Sequence, residues 1–276
     1  MAMDVTFDTV YKNPEEIFPG HTINFEKATW FDPWAIGLAC LKGIEFKDQA
    51  DKQLILPKNA DMLMYLKRMH FNKILMEFTY NSFLGPLHAL EIQEHDNENV
   101  CEILHCEFRD ALEAQLSSKI RRMFRHFGLN ELDEARATAL VGELGNNVFD
   151  HNDGQWPSSV RGAIILAQHN PNKHRIEIVV ADPGIGFSGS LRAVNKSIPT
   201  DEAAIELGMS GVTGRVGEPR GNGLKVIQDW TINKFDGIVR IHSGAGLVVV
   251  DGNGQKAQSV FSIVGTLASF VVKYKQ

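Results

Sequence analysis

The sequence predicts an α/β (α+β) chain in consecutive parts, and three observations carry that expectation. Strand-like and helix-like stretches alternate over residues 21–95, and a polar run at Glu94–Asn99 has no apolar residue to bury. Beyond it come two long amphipathic helices, apolar strands and a Gly-rich stretch. The expected divisions are an N-terminal extension at 1–20, a small α/β domain at 21–95 and a larger domain at 106–276.

Each element has its own signal. Thr22–Ala28 is strand-like, and Pro33 is placed to open a helix over Trp34–Gly43, where a missing N–H costs nothing. Leu54–Leu56 reads as a short buried strand ended by Pro57. Asn59 or Asp61 caps a helix through His70, and Ile74–Phe78 reads as another strand. The stretch from Val100 to Phe108 alternates as a strand does. Phe108, Leu112, Leu116, Ile120 and Phe124 recur every four residues among charged ones, which predicts a helix closed by Gly128. Asn130 with Asp133 resembles a capping box and opens a second helix to about Phe149. Strands follow at Arg161–Gln168 and Arg175–Ala181, then glycines from Asp182 to Gly223 and a helix at Leu224–Trp230. The remainder, Gly237–Lys275, reads as antiparallel strands turned at Ser243-Gly244 and at Asp251-Gly252-Asn253-Gly254.

Bulk properties narrow the function. A formal charge of −6 argues against a nucleic-acid binder, which carries a basic face. The cluster Lys119, Arg121, Arg122 and Arg125 reads as the wet side of the first long helix. No apolar run approaches the roughly 20 residues that span a bilayer, so a membrane partner is not expected. Three cysteines in no paired framework, behind an N-terminus with no apolar signal core, fit a reduced, cytoplasmic protein. Cys101, His105 and Cys106 lack a second ligand pair and read as strand residues, not as a metal site.

Three stretches carry chemistry. Glu143, Asn147 and His151 stand at i, i+4 and i+8, which puts them on one helix face beside an apolar stripe of Leu140, Leu144 and Val148. A carboxylate and a carboxamide one turn apart can share a small hard cation and a water near a phosphate. Asp182 ends an apolar strand and is followed by Gly184 and Gly186. If buried, such a carboxylate needs a donor, and the exocyclic amine of adenine is one. Arg220-Gly221-Asn222-Gly223-Leu224 runs straight into a helix, whose free N–H groups suit a phosphate. It is neither a P-loop nor a convincing dinucleotide fingerprint. Gly265-Thr266 then opens the last strand with a hydroxyl.

In this order, Glu143/Asn147, Asp182-x-Gly184-x-Gly186, Gly221-Asn222-Gly223-Leu224 and Gly265-Thr266 resemble the histidine-kinase-like ATPase superfamily over roughly 106–276. The resemblance implies a two-layer α/β sandwich, helices over a mixed, largely antiparallel sheet, with ATP and Mg²⁺ as cofactors. It implies that Asn147 coordinates Mg²⁺ and that Glu143 positions or deprotonates the nucleophile, touching the metal through water. It implies that Asp182 takes the adenine amine with Thr266 beside it, and that Gly184 and Gly186 line the base pocket. Arg220, Gly221, Gly223 and Leu224 would hold the phosphates, and 187–220 would form a mobile lid. His151, the lid stretch Ala204–Ser210 and Arg220–Leu224 look closest to anti-sigma-factor serine kinases. Residues 21–95 resemble a STAS domain in element order, with Phe31-Asp32-Pro33-Trp34 where such domains carry a phosphorylatable serine. The expected function is therefore a Mg-ATP-binding serine/threonine protein kinase or ATPase of regulation. The alternative is an ATP-gated protein-binding switch. A regulatory protein is the expected partner, and a homodimer is an open alternative.

Overall fold

The computed structural model describes residues 2–91, 99–152, 155–157, 159–192, 197–212 and 222–274. The first part runs β1 (Met3–Val5), α1 (Phe7–Lys12), α2 (Pro14–Ile17), β2 (Thr22–Asn24), β3 (Ala28–Phe31), α3 (Pro33–Phe46), β4 (Gln53–Ile55), α4 (Ala60–Arg68), α5 (Phe71–Glu77) and α6 (Gly85–His88). The second runs β5 (Val100–Cys106), α7 (Arg109–Gln115), a π-helical turn (Leu116–Ile120), α8 (Arg121–His126), α9 (Glu131–Asn152), β6 (Ala163–Asn170) and β7 (Arg175–Asp182). It closes with α10 (Gly186–Arg192), α11 (Asp201–Met209), α12 (Gly223–Asn233), β8 (Val239–Asp251) and β9 (Gly254–Lys273).

Local chemistry explains most of these starts and stops. Asp32 caps α3 by accepting from the Ala35 N–H at 2.8 Å, with Pro33 in the first turn. Asn59, not Asp61, caps α4. Asn130 accepts from the Asp133 N–H at 3.0 Å and opens α9. The four-residue repeat of Phe108–Phe124 drifts by roughly 40° per step on an α-helix. The π turn slackens the winding midway, and Leu112, Ile120 and Phe124 are buried, whereas Phe108, the extended residue before α7, is exposed.

One large sheet organises the molecule. Its five strands lie in the order β5-β6-β7-β9-β8, and every ladder is antiparallel. Strand alternation sends Ile165, Ile178, Val180 and Phe270 to the side covered by α9 and α12. It sends Ile164, Leu166, Val179, Ala181 and Leu267 to the opposite side, where they join the core of the first part. There α3 lies against the sheet, and every one of its residues except Glu45 is buried. A β-carbon on Gly37 would come within 2.8 Å of Val179 and 2.9 Å of Leu267, so the helix approaches as closely as its glycine allows.

Several expectations need correction. Ile74–Phe78 lies in and just beyond helix α5 and forms no strand, because Ile74 and Leu75 face the core from successive helical positions. Thr22–Ala28 is split into β2 and the start of β3. Ser243-Gly244 is a bulge within β8, not a turn; the hairpin turns only at 251–254. The sheet is not mixed, since parallel pairing is confined to β1–β3 and β2–β4 in the first part. Residues 3–17 are more than an extension, for Val5, Val10 and Ile17 are fully buried. Trp34 is a core anchor, whereas Trp30 is 43% exposed. Of the expected boundary run Glu94–Asn99, residues 94–98 lie outside the described residues. Among the described residues no helix is long and apolar enough to cross a membrane.

Candidate functional site

Between α9 and the sheet lies a cleft of about 670 Å³, its open mouth included. Three neighbouring strands make the floor. Val180 and Asp182 of β7 stand opposite Ala268 and Thr266 of β9, and Ile241 of β8 stands opposite Ala268. Leu144, Asn147, Val148, His151 and Asn152 of α9 form one wall, and Phe187, Ser190 and Leu191 of α10 form the other. Leu224 closes one end. Most of this surface is apolar, which suits a flat aromatic ligand met by a few placed polar groups.

The structure brings Asn147, His151, Asp182, Gly186, Leu224 and Thr266 together around this one cleft. Glu143 is one turn further along α9 and aims at the start of α12. Its Oε2 lies 2.5 Å from where a β-carbon on Gly223 would stand, and Asn147 Nδ2 lies 4.0 Å from that point. A side chain at Gly223 would push this carboxylate away. Asn222 gives α12 no side-chain cap, and the first N–H groups of a helix start of this kind suit an anion. A phosphate there would face Glu143 directly, and two like charges at such range call for a cation between them. Asn147 offers one oxygen for it, with water and phosphate oxygens to complete the octahedron that Mg²⁺ prefers. Among the described residues no cluster of three His, Cys, Asp or Glu side chains could hold a metal alone. Arg220 and Gly221 lie outside the described residues.

Asp182 is buried, with 6% of its surface exposed. Its Oδ1 accepts from the Gly184 N–H at 2.9 Å and from Asn152 Nδ2 at 3.0 Å, and among the described residues Oδ2 has no hydrogen bond. Burial pushes this carboxyl up from 3.8 to about 7, against the lowering pull of those two donors. Thr266 pairs with Asp182 across the β7–β9 ladder, and Gly265 before it holds a left-handed φ of 65°. Gly184 does not line the cleft. A β-carbon there would overlap the Asn152 carboxamide, so its glycine serves the packing behind Asp182.

Three functional side chains escape a reading by motif. Asn152 donates to Val148 O at 2.7 Å and accepts from the Ile185 N–H at 2.8 Å besides holding Asp182. It extends the stripe Leu140, Leu144, Val148 by one more turn, and a polar residue at the end of an apolar stripe is the signal. Ser190 hydrogen-bonds His151 Nδ1 at 2.8 Å, and burial lowers that imidazole's pKa. Ser243 accepts from the Phe187 N–H at 3.0 Å and donates to Gly265 O at 2.9 Å, tying α10 to the strand that carries Thr266.

Other singled-out residues lie elsewhere. Arg121 and Arg125 of the basic cluster both bond Glu134, a carboxylate in a residue only 1% exposed, and Lys119 pairs with Glu102. Cys101 and Cys106 are buried among the residues of the α9 side. His105 bonds Glu77 at 2.7 Å and Arg161 O at 2.8 Å. His242 of β8 has a partner in the first part of the chain. It is fully buried, receives the Tyr11 hydroxyl at 2.7 Å, and burial brings its pKa down to about 4.

No protein-family model and no curated protein matches the chain.

Proposed function

We propose that the chain is a Mg-ATP-binding regulatory protein of the histidine-kinase-like ATPase type, acting as a serine/threonine protein kinase or ATPase. One observation carries the reading. A buried strand-end carboxylate, Asp182, and a helix-borne carboxamide, Asn147, share one cleft whose end points at the start of α12. Asp182 Oδ2 is placed to accept from an adenine amine, with Thr266 beside it. Val180, Ile241 and Ala268 floor the base, and the α12 N–H groups meet the phosphates. Bound Mg²⁺ would be held by Asn147 and would neutralise phosphate charge. Glu143 stands where it can orient a hydroxyl or water and take its proton, and phosphoryl transfer asks for little more than such positioning and charge balance.

The superfamily's two-layer sandwich is supported by α9 and α12 over the antiparallel sheet. The STAS likeness of 21–95 rests on element order, and Asp32 at the head of α3 replaces the expected serine. In this reading α3 is already seated against its own sheet, so the regulatory partner docks elsewhere.

A second reading, an ATP-gated protein-binding switch, is favoured by the cleft's far wall. Phe187, Ser190 and Leu191 sit on α10, and Ser188 of α10 bonds Asp201 of α11, which in turn accepts from the Ala245 N–H at 2.8 Å. A nucleotide touching α10 would bias that whole assembly.

Incubation with labelled ATP, with and without cell extract, separates these readings. Label on a protein band identifies a kinase, free phosphate alone an ATPase, and neither of them, with ATP still bound, a switch. In the first two cases Glu143→Ala slows turnover by roughly 10²–10⁴-fold and leaves nucleotide affinity near wild type. An unchanged rate in that variant removes Glu143 from the chemistry.

A further inference from the structure

We propose that Asn152 is a specificity-determining positioning residue, which fixes Asp182 as a single-acceptor reader of the base and so selects adenine over guanine. The proposal rests on the adenine-nucleotide reading of the cleft.

The argument begins with how many acceptor positions the carboxylate can still offer. Each carboxylate oxygen has about two lone-pair sites. Those of Asp182 Oδ1 are filled by the Gly184 N–H and by Asn152 Nδ2. Only Oδ2 then remains for a ligand. The 6-amino group of adenine brings one donor to that point. Guanine presents two neighbouring donors, N1–H and the 2-amino group, and a free carboxylate takes such a pair with both oxygens at once. With Oδ1 occupied the two-pronged mode is closed, and the guanine carbonyl is left without a donor.

Asn152 is built to hold this arrangement. Both hydrogens of its Nδ2 are committed, one to Val148 O and one to Asp182 Oδ1. Its Oδ1 receives the Ile185 N–H at 2.8 Å, so a flipped amide would oppose one pair of donors and two pairs of acceptors. The residue is 3% exposed and its carboxamide fills the space that a β-carbon at Gly184 would occupy. Its bond to Asp182 also favours the ionised carboxylate against the burial that opposes it.

The test compares ATP and GTP binding to the full chain, wild type and Asn152→Leu, by calorimetry between pH 5.5 and 8. The wild type prefers ATP. In the variant the ATP/GTP ratio narrows roughly tenfold, and the midpoint of the pH profile for ATP moves to higher pH, a shift that mere loosening of the fold would not give. A variant that keeps both the ratio and the midpoint overturns the role of Asn152 while the adenine reading stands. A wild type that binds neither nucleotide overturns the reading itself. Should Asn152→Leu fail to fold, the wild-type Asp182 carboxyl carbon is followed by NMR across the same pH range. Adenosine lowers its titration midpoint and guanosine leaves it in place; an equal effect of the two nucleosides contradicts the proposal.

Discussion

The two faces of the central sheet meet their helices in opposite ways. Against one face, α3 is buried almost all round, its apolar run broken only by the Lys42–Glu45 pair, and Gly37 brings it close against Val179 and Leu267. Against the other, α9 carries Leu144 and Val148 down to the strands but also Asn147, His151 and Asn152, and a cleft opens between them. The same strands serve both. Val179 and Ala181 face α3, while Val180 and Asp182, one residue on, face the cleft. The filled face therefore supplies stability to the sheet. On the other, Asp182 Oδ2 has no hydrogen bond among the described residues, and an open acceptor in a mostly apolar cleft is what a ligand can use.

The largest expected effect lies on the filled face. Trp34→Ala deletes a fully buried indole and costs about 3–5 kcal/mol of stability, read from chemical denaturation. The protein that remains folded keeps its nucleotide affinity. A variant of normal stability would break the contrast between the faces.

On the open face the order reverses. Asp182→Asn weakens adenine-nucleotide binding by about 1–3 kcal/mol, because the amide can present a donor to the base amine, and isothermal titration measures the loss. Stability should not fall with it. A folded-state pKa of about 7 against 3.8 means that the native carboxyl holds its proton longer than the unfolded chain does. Stability at Asp182 therefore declines as pH rises from 3.8 to 7, and Asp182→Asn removes that part of the slope. Asp32 of α3, pushed to about 7 by burial and then by Glu177, adds a similar slope that the substitution leaves intact. Denaturation curves at several pH values distinguish the two.

The effect of pH on binding is of similar size over the range in which it acts. An amine donor needs the ionised carboxylate, so adenosine affinity strengthens by about tenfold per unit up to pH 7 and then levels off. Among the described residues His151 also lines the cleft, and burial lowers its pKa. A flat profile would take Asp182 out of base recognition.

How far the sequence showed all this differs between the faces. Helix α9, the strand ending at Asp182 and the glycine start of α12 each announced themselves, because period, cap and turn chemistry are local. The stacking of Glu143, Asn147 and His151 followed from helix spacing, and these side chains do lie along the cleft and toward α12. Asn152 was missed because it lies on the apolar stripe, where only tertiary contact with Asp182 gives a carboxamide a purpose. Ser190 and Ser243 are single hydroxyls whose partners are distant in sequence. On the filled face, α5 was mistaken for a strand because a short apolar run suits either period. That α3 would cover the sheet is legible only in its near-continuous apolar run from Pro33 to Leu41, which says that it is buried but not against what.

The most direct test of a shared base-and-metal cleft is calorimetric titration of adenosine and of ATP, with and without Mg²⁺, into wild type, Asn147→Ala and Asp182→Asn. Mg²⁺ should strengthen ATP binding and leave adenosine unaffected. Asn147→Ala should lose that increment yet bind adenosine normally, and Asp182→Asn should weaken both ligands. Adenosine and Mg-ATP binding that is unchanged in both variants would contradict the account.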